Sequence, residues 1–519
     1  MKHQRRRNNL VKEDASCVLT MPLQPEPWQI DIIEKRFRIM EHLENSLIAL
    51  ELRKLKNIER TRGYKKLMTR IKEEKDQKER NKLFKERNKM LRDAGISWQS
   101  FVTDVSSLQK HFAPHIAQKV GAFAARSHVW RSFEKVVFGN GQRVHFHKRG
   151  DLKSISSGVF GTSMSLKDNL FIWSGGTKDE KGRKVEPITI KVRVRKPETY
   201  YEREMLQKQI KYLTITRKWV KNRYKYYLQF MSAGTPAVKP RPIANGKRVG
   251  IDIGPSSAAI VSDKEVKLVE LADRVQKNYD KKILIQRSLD RSRRAMNPQN
   301  FNADGTIKRG IKLIWAESKH YKEMRGQVRE FERKNADIRK YQHTCLANDI
   351  LALGTEVYIE KMSFKGLQRK AKETTYREDG RARSKKRFGK SIANRAPASF
   401  MTILNNKLCG IVGEQLHEVN TFTFKASQYD HTNGTYKKKL LRDRWAVLSN
   451  GDMIQRDLYS AFLIMNSDAE MQYTDQIKCE ETYEKFKKQH DELLDSMRLS
   501  DKRYPKSFGI KYNANVTST

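Results

Sequence analysis

Three carboxylates stand inside otherwise apolar runs: Asp252 in Arg248-Val-Gly-Ile-Asp-Ile-Gly-Pro255, Glu360 in Glu356-Val-Tyr-Ile-Glu-Lys361 and Asp457 in Ile454-Gln-Arg-Asp-Leu-Tyr-Ser-Ala-Phe462. Taking an unpaired carboxylate out of water is costly, so acids written into a core need a partner. The rest of the chain is strongly basic, with 106 Lys plus Arg against 60 Asp plus Glu and a net charge of +46. A buried acid in such a chain is well placed to hold a cation. Two or three carboxylates converging on divalent metal can cut a phosphodiester, because two ions roughly 4 Å apart stabilise both the attacking and the leaving oxygen.

Each motif also has a plainer reading. In Val249-Gly-Ile-Asp-Ile-Gly254, strand alternation sets Ile251 and Ile253 on one face and Asp252 on the other, beside two glycines that would let a metal or phosphate approach the backbone. An Asp at a strand end can equally cap a turn. Sugar-kinase and chaperone-type ATPases open in the same way, but no Gly-rich phosphate loop accompanies Asp252. Glu360 closes a predicted strand, where a charged residue is common. Asp457 begins an apolar helix in which Leu458, Ala461, Phe462 and Met465 keep helical spacing, and an N-terminal Asp suits the helix dipole without any chemistry. Ser460 and Ala461 are small enough to let that helix lie close on a strand.

At 519 residues the chain exceeds one ordinary core, and about 150 residues per domain points to three or four domains. A charge of +46 spread over the whole length predicts a polyanionic partner, since each phosphate neutralised releases counterions. No apolar run approaches the roughly 20 residues of a spanning helix. Met1-Lys-His-Gln-Arg-Arg-Arg7 lacks the apolar stretch of a signal peptide, so a cytoplasmic protein without a membrane partner is expected. Cys17, Cys345, Cys409 and Cys479 are too far apart for a zinc site or a disulfide framework and read as small buried residues.

The elements that must position these residues follow from periodicity. Residues 17–22 read as a strand leading into a turn. Ile33, Phe37, Met40, Leu43, Leu47 and Leu50 then recur at three- and four-residue steps, which is an amphipathic helix. The pattern stays helical and becomes highly charged over 53–92, stops at Gly95 and resumes over 97–138. From Gly139 the period is two. Ile188, Ile190, Val192 and Val194 alternate with Thr189, Lys191, Arg193 and Arg195, a half-buried strand with a basic outer face. Strands are also expected at 144–146, 212–216 and 224–230, and a small β-barrel over 139–232. Aromatic residues interleaved with cations over 219–227 could stack on bases or equally form the barrel's core and rim. Residues 234–242 are a linker stiffened by proline. Beyond it come a meander (249–253, 258–262, 266–271), helices from Tyr279 with an interruption near 297–310, the strand 356–360, a basic loop over 361–395, and alternating strand and helix to Asn466. The polar stretch after Asn466 reads as partly helical.

Order adds to these separate signals. An aspartate on the first strand, a glutamate at the end of a later one and an aspartate on a helix after that resemble the split nuclease core of RuvC. Residues 249–255, 357–366 and 456–461, in this order behind a basic helical and β region, resemble the TnpB proteins of insertion sequences and their relatives, the type V CRISPR effectors. Residues 383–395 and Ala426-Ser427-Gln428 fit the same alignment. The resemblance implies a multidomain α+β chain. A helical recognition domain (28–138) would be inserted in a wedge-like β-barrel (1–27 and 139–235), followed by a linker (236–247) and an RNase H-like, RuvC-type α/β nuclease domain (248–425 and 452–470). A target-nucleic-acid-binding insertion (426–451) and a polar tail (471–519) complete it. The implied function is an RNA-guided DNA endonuclease that hydrolyses phosphodiesters of double-stranded DNA matched to a guide RNA, next to a short flanking motif. Asp252, Glu360 and Asp457 would be its catalytic, metal-binding residues and two Mg²⁺ ions its cofactor. Guide RNA and double-stranded target DNA are the expected partners of a prokaryotic, cytoplasmic protein, monomeric rather than dimeric.

Two departures from the family stand out. Four zinc-binding cysteines usually follow the Ser-Gln that Ser427-Gln428 matches, whereas Tyr429-Asp-His-Thr-Asn-Gly434 and 445–451 contain none and leave His431 as a lone candidate ligand. No zinc is expected, and packing of Tyr436, Leu440 and Trp445 is expected to hold the subdomain. The small residues after the last aspartate are usually preceded by Asn, where this chain has Tyr459. Nucleic acid is expected to meet Lys191, Arg193 and Arg195 on one strand face, and Lys365, Arg369, Arg383, Lys385, Lys386 and Arg387 in the loop after Glu360. Two other readings remain open: a guided DNA-binding repressor that does not cut, to which an intact triad is of no use, and an unguided RuvC-like resolvase or transposase, which needs only the core.

Overall fold

The computed structural model describes residues 15–510 apart from 140, 180, 222, 238–241, 377, 379, 381–387, 412, 439–442 and 501. The chain forms two compact units, Met1–Lys239 and Pro240–Thr519, each mixing helix and strand.

In the first unit, β1 (Ser16–Gln24) buries Cys17, Leu19, Met21 and Leu23, the alternation its sequence dictates. Helix α1 (Pro27–Arg60) starts at a capping box between Glu26 and Gln29 with Pro27 in its first turn, and buries Ile33, Phe37, Met40, Leu43 and Leu47. The charge-rich stretch forms α2 (Arg62–Glu73) and α3 (Gln77–Asp93), capped by the Thr61 and Asp76 side chains. Gly95, at φ +74°, ends it. α4 (Trp98–Lys110), α5 (Gln118–Ala125) and α6 (Arg131–Phe138) follow.

The strands β2 (Ser154–Ser156), β3 (Met164–Lys167), β4 (Leu170–Ser174), β5 (Thr189–Val194), β6 (Ile210–Val220) and β7 (Arg223–Ala233) join β1 in a seven-stranded sheet of order β2-β6-β7-β1-β5-β4-β3, with α7 (Tyr200–Leu206) before β6. The sheet has two ends and does not close, so the barrel expected over 139–232 is an open sheet. Residues 144–146, expected as a strand, belong to none. The chain just after them bonds to side chains of α1 instead of a neighbouring strand: Asn45 brackets the His147 backbone at 2.8 and 3.0 Å, and Glu41 accepts from the Gly150 and Leu152 amides, both at 3.1 Å. The aromatic run 219–227 is mostly packing. Trp219 meets Tyr224 edge-on across β6 and β7, and Tyr226 is buried with its hydroxyl on Glu34.

In the second unit, β8 (Arg248–Ile253), β9 (Ser257–Ser262) and β10 (Val266–Glu270) form the expected antiparallel meander. β11 (Glu356–Glu360) joins β8 in parallel and β12 (His417–Val419) joins β11 in parallel, giving the order β10-β9-β8-β11-β12. A parallel pair needs a long crossover, and α8 (Tyr279–Met296) and α9 (Lys319–Leu353) lie within the one between β8 and β11. Past β11 come α10 (Gly389–Arg395) and α11 (Pro397–Ile411). One face of the sheet packs Val249, Ile251, Ile253, Val357 and Ile359 against α9 and α11 through Ile350, Leu351, Phe400 and Leu404. The other carries α12 (Arg456–Met465) and α13 (Gln476–Leu499). α13 buries Cys479, Tyr483, Phe486, His490, Leu494 and Met497, so the stretch expected as a polar tail carries a core-facing stripe at three- and four-residue steps. Two small hairpins precede α12: β13 (Tyr429–Asp430) with β14 (Thr435–Tyr436), and β15 (Trp445–Val447) with β16 (Met453–Gln455). Among the described residues no helix is long and apolar enough to cross a membrane.

Candidate active site

Asp252 and Glu360 stand at the same level of adjacent strands. β8 and β11 run parallel with Gly250 opposite Tyr358 and Ile251 opposite Ile359. One residue further along each strand brings Asp252 and Glu360 level, on the face away from Ile251 and Ile359. α12 covers that face and runs against the direction of β8. At one end the Arg248 guanidinium donates to the carbonyls of Met465 and Ser467 at 3.2 and 3.0 Å. Next, Gly250 lies beneath Ala461 and Met465, where a Cβ would come within 2.1 Å of the Ala461 oxygen and 2.5 Å of the Met465 nitrogen. From Gly250 to Asp252 the strand advances about 6.6 Å, and four residues of helix, Ala461 back to Asp457, cover about 6 Å. The matched steps bring Asp457 to Asp252. Gly250, expected to open the backbone to a metal or phosphate, instead admits a helix.

The electrostatics record this meeting. Burial first, then Asp457 and Glu360, push the Asp252 carboxyl well above the ordinary carboxylate range, and the Arg456 guanidinium offsets this only in part. Burial also raises Glu360. Arg456 Nη2 lies 3.6 Å from Asp457 Oδ1, and Arg444 Nη1 lies 4.0 Å from Oδ2. An all-oxygen set of three acids suits a hard divalent cation, whose charge would reverse the upward shift at Asp252. Among the described residues no group of three or more His, Cys, Asp or Glu side chains is gathered closely enough to hold a metal ion as it stands. The three carboxylates therefore act on one another across the site without forming one ready coordination sphere.

Side-chain hydrogen bonds order the insertion before α12 around Asp430. Burial opposes charge on Asp430, but hydrogen bonds outweigh it and hold its carboxyl below the usual range. Thr432 donates to one oxygen from its amide and hydroxyl, and Ser449 does the same to the other, at 2.7–3.1 Å. His431 is buried, its Nδ1 2.7 Å from the Tyr459 hydroxyl, which also receives the His431 amide at 3.1 Å. His431 is thus a packed core residue, and Tyr459 ties it to α12. Of the packing residues expected here, Tyr436 is 45% exposed, Leu440 lies outside the described residues, and Trp445 donates its indole N–H to the Gly509 carbonyl at 2.8 Å.

The expected nucleic-acid contacts divide. Lys191 and Arg193 are exposed on the outer side of β5, as the alternation requires. Arg195, beyond the strand end, is held by Glu198 and Glu202. Lys365 and Arg369 are exposed just after β11, in and after a one-turn helix that Phe364 anchors. Arg383, Lys385, Lys386 and Arg387 lie outside the described residues. Arg444 and Arg456 were not foreseen at the site. Adjacency to Asp457 was a signal for Arg456, whereas Arg444 reaches Asp457 only through the pairing of β15 with β16.

No family model matches the chain, and no curated protein matches it. Its likeness lies among solved structures. It is similar to the protein of a Cas12f1–sgRNA–target DNA complex, at a TM-score of 0.47 and 11% identity over 88% of this chain and 99% of that one. A CRISPR–Cas12f ternary complex follows, at 0.27 and 13% over 85% and 82%. A Cas12i–crRNA–dsDNA complex matches at 0.26 and 11% over 75% and 58%.

Proposed function

We propose that this chain is an RNA-guided DNA endonuclease of TnpB type, cutting double-stranded DNA matched to a guide RNA beside a short flanking motif, with Mg²⁺ as its metal. The observation that carries the reading is the meeting of Asp252, Glu360 and Asp457, from three distant stretches of sequence, on one sheet face under α12. A net charge of +46 supports a polyanionic partner. Bound Mg²⁺ would supply Lewis-acid stabilisation of the charge that develops as a phosphodiester is hydrolysed. The three carboxylates would hold it. The Arg444 and Arg456 guanidiniums, beside Asp457, suit the non-bridging oxygens of the phosphate under attack. Lys191, Arg193, Lys365 and Arg369 would neutralise backbone phosphates, while base pairing reads sequence.

The test begins with sequencing of the RNA that copurifies with the chain expressed beside its genomic flanks. One discrete structured RNA ending in a variable segment is expected. The ribonucleoprotein should then cut a matched target, from a library with randomised flanks, when Mg²⁺ is present. Failure to cut any member counts against the proposal. A guided binder that does not cut is the second reading, although such a protein has no use for the three acids that meet here. Asp252→Ala separates the two: an endonuclease loses cutting and keeps target binding, whereas a binder behaves like its mutant.

A further inference from the structure

We propose that α13 and residues 502–510 are a positioning device for the active site, bracing the β15–β16 hairpin so that Arg444 stays beside Asp457. The inference rests on the reading of Asp252, Glu360 and Asp457 as the cleavage site. The hairpin pairs Trp445 with Gln455, Ala446 with Ile454 and Val447 with Met453. Just outside the first pair, the Arg456 amide donates to the Arg444 carbonyl at 3.0 Å. One short hairpin therefore carries an arginine at the root of each strand, and both approach Asp457. A lone two-stranded hairpin is marginal in water, and the insertion contains no cysteine to tie it to zinc.

The C-terminal segment supplies the ties. His490 Nε2 accepts the Gln455 amide at 3.0 Å, and its ring meets Trp445 edge-on at 6.4 Å. The Tyr483 hydroxyl donates to Asp452 Oδ2 at 2.7 Å, at the turn of the hairpin. Beyond α13, Phe508 is buried and Gly509 lies directly under the arginine's root. Gly509 holds φ +71°, and a Cβ there would stand 2.6 Å from the Arg444 Cβ and 3.0 Å from Trp445 Nε1. Its carbonyl takes the Trp445 indole N–H. Both strands and the turn are thus gripped by residues of one C-terminal segment. For groups that act on a reacting phosphate, displacement of about 1 Å costs on the order of 10²-fold in rate.

The experiment uses the full chain with its guide and a matched target, and reads single-turnover cleavage and equilibrium binding for Gly509→Val, Arg444→Ala and the double variant. Gly509→Val should cut about ten-fold more slowly or worse, with guide and target affinity kept within about two-fold. Arg444→Ala should then cost nothing more in the Gly509→Val background, since the arginine is already displaced. Wild-type cleavage by Gly509→Val, or losses that multiply in the double variant, overturns the proposal. Should Gly509→Val not fold, Trp445→Phe removes the indole hydrogen bond to Gly509 together with part of the ring that meets His490, and is expected to act in the same direction. Hydrogen exchange at 445–455 gives a readout that does not need cleavage. Gly509→Val should lose protection there and keep it in β8, and unchanged hairpin protection also overturns the brace. A wild type that binds but never cuts instead sinks the nuclease reading, and the exchange result still decides the brace.

Discussion

Gly250 and Ala461 are in backbone contact, with no space between them for even one carbon: a Cβ on Gly250 would meet the Ala461 carbonyl oxygen at 2.1 Å. This contact fixes how far α12 sinks onto β8, and so the distance between Asp457 and Asp252. Gly250→Ala is expected to raise the helix, because both nearest atoms are backbone and cannot swing aside. Overpacking of this kind costs about 1–3 kcal/mol or more. A lowered denaturation midpoint together with reduced cleavage would confirm it, and an unchanged midpoint would refute the packing argument.

Asp252→Asn keeps the shape of the side chain and removes a charge that burial, Asp457 and Glu360 all oppose. Thermal stability in metal-free buffer is expected to hold or rise. Added Mg²⁺ should stabilise the wild type, since ligand binding to the native state shifts unfolding, and should stabilise the variant much less. Equal Mg²⁺ responses would place the metal elsewhere.

Burial holds His343, His431 and His490 below the ordinary histidine value, His343 at about 4. As pH falls, the unfolded chain protonates first, near about 6.5, so it binds more protons than the native state and stability rises with pH. Their contribution is complete above the unfolded value and is lost as pH drops from there through the folded values. Denaturant midpoints measured between pH 7.5 and 4.5 should fall, and His343→Leu should flatten the decline.

Neutralising Lys191 and Arg193 should weaken nucleic-acid binding and lower the slope of log affinity against log salt by about one for each phosphate no longer neutralised. Arg195→Ala should leave that slope unchanged, because its guanidinium is held by Glu198 and Glu202. A fall in slope for Arg195→Ala equal to that for Lys191 would restore the three-cation face expected from alternation alone.

Tyr459→Phe leaves the buried His431 amide and ring nitrogen without their shared partner. A buried group stripped of its hydrogen bond costs about 1–3 kcal/mol. The variant's midpoint should fall by that amount, and a zinc chelator should leave the wild-type midpoint unmoved.

Much of this molecule is visible in local pattern. Period two in β1, β5 and β8 and three-four spacing in α1 and α12 follow from the short range of backbone geometry, which repeats within a few residues. The stripe in α13, Cys479 to Met497, follows the same spacing, but heavy charge on the other faces masks it in the sequence. Closure was not visible. Whether the strands before Gly234 make a barrel or an open sheet depends on edge pairing between distant residues, and here Glu41 and Asn45 of α1 claim the backbone next to one candidate strand.

The candidate site divides along the same line. Residue type alone marked Asp252, Glu360 and Asp457, because an acid among apolar neighbours is costly wherever it lies. Their convergence needed the parallel register of β8 with β11 and the descent of α12 onto Gly250. Arg444 carries no such mark, since a surface-type cation is ordinary in a chain of this charge. It acquires a relation to Asp457 only when the hairpin of β15 and β16 forms and Gly509, far along the chain, closes beneath it, contacts that no local periodicity encodes.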